Sequence, residues 1–416
     1  MTKFLPYSRH SIDSSDIAAI TEALQSDYLT TGPRIKEFEE ALAKAVGAKY
    51  AVAVSNGTAA LHCAVMALQL PKGSLGITSP ITFVASSNCL LYEGLRPAFC
   101  DIDPNTANMD PSALAASCSR EKPRVIIPVH FGGQACEMQK ISEIAKASGS
   151  LIIEDAAHAL GGQYENGKQI GCCEYSAMTT LSFHPVKNIT CGEGGAITTN
   201  DPILYERLLQ ARSHGINRDP DKFKIRSQAF ESTEAAKANP WYYEMVSLGY
   251  NYRLTDIQAA LATSQLKKLD YFIKKRREIF RCYVDAFRGL PGIRVLSPNS
   301  GELSALHLAV ILIDFNTISK SRAQVIQDLH KLGIGSQVHY IPVHLQPYYR
   351  ETFGFSEGMF PKAESYYANC LSIPIFPDMT QEDIDRVISA IQELSRLAAN
   401  NSDSNRLSSS TTRSHI

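Results

Sequence analysis

Nowhere does this sequence reach the eighteen or so consecutive apolar residues that a membrane-spanning helix needs. It also lacks a charge excess: 41 Lys and Arg stand against 42 Asp and Glu, a formal net charge of −1. A balance so close to zero argues against a broad electrostatic grip on nucleic acid or an anionic membrane, and leaves room only for a local basic pocket. No CxxC pair occurs among the ten cysteines, which disfavours zinc-ribbon and thioredoxin-like readings, and no metal centre is expected. Several of these thiols sit in apolar surroundings, where they would pack as small hydrophobes. The opening Met1–Pro6 is not followed by the apolar core of a signal peptide. With no disulfide pattern either, a soluble cytoplasmic protein is expected. There is no internal repeat. From Ala399 to Ile416 large apolar residues nearly vanish among Ser, Asn, Thr and Arg, so that tail is expected to be disordered.

What is present is ordinary globular composition, 44% hydrophobic and 20% charged, over a length that can bury more than one core. Residues 1–14 read as an extended arm, ending at a helix capped near Ser14 or Ser15. Short buried runs then alternate with amphipathic stretches. Strands are expected at Tyr50–Val54, Ile77–Thr78, Pro97–Cys100, Val125–Val129, Leu151–Glu154, Ala177–Leu181 and Gly195–Thr199. Helical spacing falls at Glu37–Val46, Thr58–Leu70, within Pro111–Cys118 and at Cys136–Ser148. This alternation implies an α/β fold with a largely parallel sheet wrapped by helices. The large domain is placed at 15–265. One long helix from Thr255 to about Arg288 leads out of it to a smaller α/β domain at 266–398. That domain should contain a strand at His307–Ile313 and helices at Ser321–Leu332 and Gln381–Leu397. The polar stretch Asn217–Pro240 reads as a surface excursion.

Four segments stand out chemically. Lys187 follows a buried strand, in Ser182-Phe-His-Pro-Val-Lys187, and precedes the glycines of Gly192-Glu-Gly-Gly195, which let backbone approach a ligand. A lysine is more often a solvated loop residue, and here the flanking pattern opposes that reading. Asp155 ends the strand Leu151–Glu154, where ligands of open α/β sheets bind; its plain alternative is a helix cap. Asn56-Gly57-Thr58 joins a strand to a helix start, whose free N–H groups make an anion cup, and Ser182 could add a hydroxyl. Phe83 could lay a flat face against a ring or simply fill the core. Together these match the needs of pyridoxal 5′-phosphate. The cofactor requires a lysine for its Schiff base and proton shuttle, an acid beside the pyridine nitrogen, a phosphate site and a stacking surface.

The set Ser55-Asn-Gly-Thr-Ala-Ala-Leu61, Thr82-Phe83, Glu154-Asp-Ala-Ala-His158, Ser182–Lys187 with Gly192–Gly195, and Gly249-Tyr-Asn-Tyr-Arg253 resembles the DegT/DnrJ/EryC1/StrS family of nucleotide-sugar aminotransferases. The resemblance runs from about Tyr7 to Leu397. It implies a type I, aspartate-aminotransferase-like fold and a homodimer with active sites at the subunit interface. Lys187 and Asp155 become the catalytic pair. Asn56, Gly57, Thr58, Phe83, His158 and Ser182 become cofactor contacts, and Asn251 would reach the cofactor phosphate of the neighbouring subunit. The alternative for Asn251 is a turn residue packed within its own chain.

Within the family the pseudaminic-acid branch is the nearest match. It aminates C4 of a UDP-linked 4-keto-6-deoxy-N-acetylhexosamine, and its amino donor is expected to be glutamate. On that resemblance Tyr7, Asp27, Tyr28, Leu29, Thr30, Val338, His339, Tyr340 and Ile341 become substrate contacts. For His339 and Tyr340, which make chemical sense facing a diphosphate and sugar hydroxyls, the lesser alternative is a strand end in the small domain. Sugar dehydratases of the same family carry histidine where Lys187 stands, so the lysine speaks against them. Retention of Lys187, Asp155 and the phosphate turn together disfavours a non-catalytic binding relative.

Overall fold

The computed structural model describes residues 4–231, 237–297 and 302–410, with the side chains of 397–410 left aside. Its centre is a seven-stranded sheet of β1 (Tyr50–Val54), β2 (Leu75–Thr78), β3 (Arg96–Phe99), β4 (Val125–Ile127), β5 (Leu151–Asp155), β6 (Met178–Ser182) and β7 (Gly195–Thr199). The spatial order is β1-β7-β6-β5-β4-β2-β3. β2, β3, β4, β5 and β6 pair in parallel, while β7 runs antiparallel between β6 and β1. The strands are apolar on both faces because helices cover both; their inner residues divide between two cores, one with Ala51, Ala53 and Ile126, the other with Val52, Val54, Ile127 and Ile153.

The expected strands are all present, and Tyr50–Val54 and Gly195–Thr199 have the expected bounds. The first helix is Ser14–Leu24, and its cap is Asp13, one residue earlier than expected. The Asp13 carboxylate accepts the Ser15 and Asp16 N–H groups, and Asp16 returns the bond to Asp13. One larger correction concerns the long helix. Thr255–Arg288 is two helices, Asp256–Leu266 and Leu269–Phe287, with a break at Lys267 and Lys268. No Gly or Pro marks that break. A tertiary contact accompanies it: Lys268 pairs with Asp13 at 2.9 Å and with the fully buried Asp16. The second of these helices bridges two cores, placing Phe272 and Ile273 in the large one and Phe280, Tyr283 and Phe287 in a smaller one.

The excursion after Asn217 is closed by a two-stranded ribbon, β8 (Ile216–Asn217) against β9 (Glu244–Met245); residues 232–236 within it lie outside the described residues. The smaller core packs against a second, antiparallel sheet, β10 (Ile293–Val295), β11 (Ala309–Ile313) and β12 (Cys370–Ile373). The arm at 1–14 is stitched to it: Leu5 is buried there and exchanges backbone hydrogen bonds with Gly333 and Gly335. The last helix, Gln381–Ser410, continues beyond Leu397 into the stretch expected to be disordered. Once Ile384, Val387, Ile391 and Leu394 anchor its first turns in the core, each further residue propagates the helix without a new nucleus. Residues 411–416 lie outside the described residues. Among the described residues no helix is long and apolar enough to cross a membrane.

Candidate active site

Topology brings the four segments to one place. In the sheet Gly195 stands between Val54 and Ser182, so the ends of β1 and β6 meet the start of β7, and Asp155 ends the neighbouring β5. Two glycines permit this. A Cβ on Gly195 would come within 2.4 Å of the Asn56 carbonyl oxygen, and one on Gly57 within 2.9 Å of the Ser182 Cβ. Beyond these ends opens a cleft of about 660 Å³, lined by Asn56, Gly57, Thr58, Phe83, Asp155, His158, Ser182 and Lys187. Every cofactor contact expected from sequence is in that wall except Asn251.

Lys187 sits in the β6–β7 loop, which is held by bonds from the Phe183 N–H to the Gly194 carbonyl (2.8 Å) and from the Lys187 N–H to the His184 carbonyl (2.9 Å). Burial pushes its ammonium down to about 8, against the opposing pull of the Asp155 charge. A lysine so tuned is neutral, and therefore nucleophilic, in a far larger fraction near neutrality than a solvated one.

Asp155 is buried, and both its oxygens are engaged. Ser86 Oγ donates to Oδ2 at 2.6 Å and the Ala157 N–H to Oδ1 at 3.1 Å. The Ala157 contact is the cap-like bond of the plain reading, but turns rather than a helix follow Asp155, and the residue lines the cleft. Ser86 in turn lies 2.6 Å from Thr82 Oγ1. Sequence reading missed both hydroxyls, although they lie one helical turn apart beside Phe83. Phe83 is 58% exposed and does not fill the core. The phosphate turn is the start of the helix Gly57–Ala67. Asn56 caps it by accepting the Ala59 N–H at 2.8 Å, while Gly57 and Thr58, whose N–H groups belong to the unpaired first turn, face the cleft wall.

The far wall comes from the smaller sheet and the arm. Tyr7, His339 and Tyr340 line it; His339 Nδ1 lies 2.8 Å from Ser372 Oγ and Tyr340 Oη 3.2 Å from His158 Nε2. Burial first and Lys187 second lower His339 to about 3, so it faces the cleft as a neutral ring. The strand-end reading also holds here, since Gln337 exchanges backbone hydrogen bonds with Ser372 of β12. Val338 packs against an apolar cluster instead, and Ile341 is exposed. Asp27, Tyr28, Leu29 and Thr30 lie exposed beside the start of the helix Asp256–Leu266, where Leu29 accepts the Asp256 N–H. Asn251 is exposed too, bridged through its backbone to Ser213. These seven residues, Val338, Ile341, Asp27, Tyr28, Leu29, Thr30 and Asn251, do not line the cleft of a single chain. His184, Glu193, Tyr92 and Tyr252 do, and were not anticipated as site residues.

This donor set fits pyridoxal phosphate: an amine of lowered pKa, a fixed carboxylate, a helix start opened by a glycine and an exposed aromatic face. Comparison with known proteins agrees. The DegT/DnrJ/EryC1/StrS aminotransferase family matches residues 10–392, and the chain belongs to that family. It is a pyridoxal-phosphate-dependent sugar aminotransferase of type I fold. It is 39% identical over 392 residues to SpsC, a spore coat polysaccharide biosynthesis protein of Bacillus subtilis, covering 94% of this chain and 97% of that relative. Among solved structures it is similar to Helicobacter pylori PseC, an aminotransferase of pseudaminic acid biosynthesis, with TM-score 0.86, 31% identity and 95% and 100% of the two chains covered. The PLP-form of Spr1654 from Streptococcus pneumoniae superposes with TM-score 0.82 at 27% identity, covering 95% and 99%.

Proposed function

We propose that this enzyme moves an amino group from L-glutamate to C4 of a UDP-linked 4-keto-6-deoxy-N-acetylhexosamine. The product would be UDP-4-amino-4,6-dideoxy-N-acetyl-β-L-altrosamine, on a route to pseudaminic acid in the cytoplasm. The observation that carries this reading is the whole-chain likeness to PseC, with Tyr7, His339 and Tyr340 in one wall opposite Lys187. Pyridoxal phosphate supplies a carbonyl that condenses with amines and a ring that accepts electrons. Lys187 Nζ takes the proton from the donor's Cα and later returns one to the sugar's C4. Asp155, held by Ser86 and the Ala157 N–H, keeps a proton on the ring nitrogen. The Gly57 and Thr58 N–H groups and the Ser182 hydroxyl bind phosphate, Phe83 stacks on the ring, and His158 packs beside it. Donor and acceptor use the same Lys187, so the two half-reactions alternate.

The exposed positions of Asp27–Thr30 and Asn251 suit a homodimer in which each subunit completes its neighbour's site. Tyr28, Leu29, Trp241, Tyr243, Met245 and Leu248 are exposed as well, an apolar set that a second copy would cover. A second reading follows from the greater identity to SpsC: amination of another nucleotide-linked keto sugar for a surface polysaccharide. A panel of nucleotide-linked 4-keto sugars with glutamate, and products identified by mass and NMR, decides between them. Turnover confined to a sugar other than the N-acetylhexosamine would overturn the first.

A further inference from the structure

His158 is gripped from behind by groups that the cofactor and substrate assignments do not use. The segment Ala305–Leu308 runs against the turn Phe131–Gly133: the Ala305 N–H donates to the Gly133 carbonyl at 2.9 Å and the Leu308 N–H to that of Gly132 at 3.3 Å. Gly133, at φ +98°, makes the approach possible, because a Cβ there would lie 2.9 Å from the His158 carbonyl oxygen and 3.0 Å from the His307 nitrogen. The result is a close, tilted contact of two buried rings, with the His307 and His158 centroids 4.4 Å apart and their planes at 44°. The Gly132 N–H points at His158 Nδ1 (3.4 Å), which must therefore be unprotonated, so the ring proton sits on Nε2. Nε2 faces Tyr340 Oη at 3.2 Å. A tyrosine oxygen that accepts from Nε2 has its own proton free for another acceptor, and Tyr340 lines the cleft.

We propose that His307 is a positioning residue: packed against His158, it locks that ring with Nδ1 on the Gly132 N–H and the Nε2 proton on Tyr340, turning the tyrosine hydroxyl into a donor aimed at ligand oxygen in the cleft. Among the described residues its own Nδ1 has no hydrogen-bond partner, so that nitrogen passes no proton to His158. The surroundings support a neutral pair. Lys187 and His339 face His158; Lys187, Arg276 and His339 face His307; burial chiefly, with the Lys187 and Arg276 charges adding to it, holds both imidazoles well below their ordinary range. Tyr340 stays protonated, raised chiefly by burial.

The inference rests on the cleft being the aminotransferase site but not on which sugar it takes. The first test is ¹⁵N NMR of the histidine-labelled holoenzyme, with His158 assigned by its loss in His158→Gln. The expected result is a neutral Nε2–H ring that does not titrate between pH 5.5 and 8.5. Titration in that window, or an Nδ1–H ring, overturns the proposal without any His307 variant having to fold. The second test pairs His307→Phe, which keeps a ring packed against His158, with His307→Ala, which admits water. The phenylalanine variant should keep a wild-type pH profile for kcat with glutamate. The alanine variant should gain an acid limb near the ordinary histidine pKa of about 6.5. It should also lose about tenfold in kcat with donor KM little changed, a fold-loss at the low end for one misaligned donor. Equal profiles in all three proteins would refute the role.

Discussion

Replacing Ser86 by alanine isolates how much the setting of Asp155 matters, because the carboxylate itself stays in place. Ser86 donates to Asp155 Oδ2 at 2.6 Å, and among the described residues the only other donor to that carboxylate is the Ala157 N–H at 3.1 Å on Oδ1. The group is 5% exposed, so water has little room to replace the lost partner. A hydrogen bond to a charged group contributes about 1.5–3 kcal/mol. If the ionised carboxylate is needed to hold the ring-nitrogen proton while the Cα proton leaves, most of that contribution is lost at the transition state. At about 1.4 kcal/mol per decade, kcat should fall by roughly 10- to 100-fold. Asp155→Asn should fall further, by about 10²-fold or more, while retaining cofactor. Thr82→Val should cost less than Ser86→Ala, since it removes only the 2.6 Å contact behind Ser86. The assay is single-turnover conversion of the holoenzyme with glutamate, followed in the cofactor's visible absorbance. If Ser86→Ala reacts at the wild-type rate while Asp155→Asn is slow, the carboxylate needs no help from Ser86 and the argument from its bonding fails.

Lys187→Ala should fold and bind cofactor non-covalently yet show no transamination; near-native turnover would remove Lys187 from the mechanism. Because burial lowers Lys187 to about 8, its neutral fraction grows as pH rises through that value, so the rate of reconstituting apoenzyme with cofactor should climb from pH 7 to 9 and then level. A rate still rising steeply past pH 10 would mean an ordinary lysine. Gly57→Ala forces a Cβ to within 2.9 Å of the Ser182 Cβ, and overpacking of this kind costs about 1–3 kcal/mol, so cofactor Kd should rise at least about fivefold. Asn251→Ala and Lys187→Ala, each inactive alone, should complement when mixed under subunit exchange, to no more than about half the wild-type rate per heterodimer. Heterodimers without activity would place Asn251 outside the neighbour's site.

The parallel core was legible because each strand is a short run with its own punctuation. Tyr50–Val54 stops at Ser55-Asn-Gly, and Gly195–Thr199 at Asn200-Asp-Pro. Where the pattern carried no such signal the sequence was silent. The helix Ala85–Tyr92 buries Ala85, Ser86, Ser87, Cys89 and Leu90, so it shows no polar stripe to set its period, and the Ser86–Asp155 bond went unseen with it. β12 is four residues, Cys370–Ile373, whose partner β11 lies some sixty positions away. The break at Lys267–Lys268 accompanies an ion pair with Asp13 and Asp16, about 250 residues earlier, and nothing local reports it. In the site, Asp155 and the Asn56–Thr58 turn were readable because each follows directly on a short apolar strand, and Lys187 because it stands between such a strand and the glycines Gly192–Gly195. His307 was not. A histidine opening an apolar strand looks like any other, and its meaning comes from Gly133 allowing its backbone to pass within reach of His158.

That contrast separates two tasks within one cleft. The groups that act on the cofactor belong to strand ends of the central sheet, where register fixes them: Asp155 opposite Thr180, Ser182 opposite Gly195, Val54 opposite Gly195. A one-residue slip there would turn every side chain to the wrong face, so these positions tolerate little change. The groups on the far wall, Tyr7, His339 and Tyr340, ride on the arm and the loop that follows Gln337. The bonds that join them to the central sheet's side include Ser8 Oγ to the Val186 carbonyl, the Val343 N–H to the Pro80 carbonyl, Tyr340 to His158, and the Ala305–Leu308 strip to Gly132 and Gly133. On the proposed assignment, exchanging Tyr7 or His339 on that wall should change the acceptor sugar, whereas exchanging His307 or Gly133 should also disturb His158, a cleft residue of the β5 turn that reaches Tyr340 on the far wall.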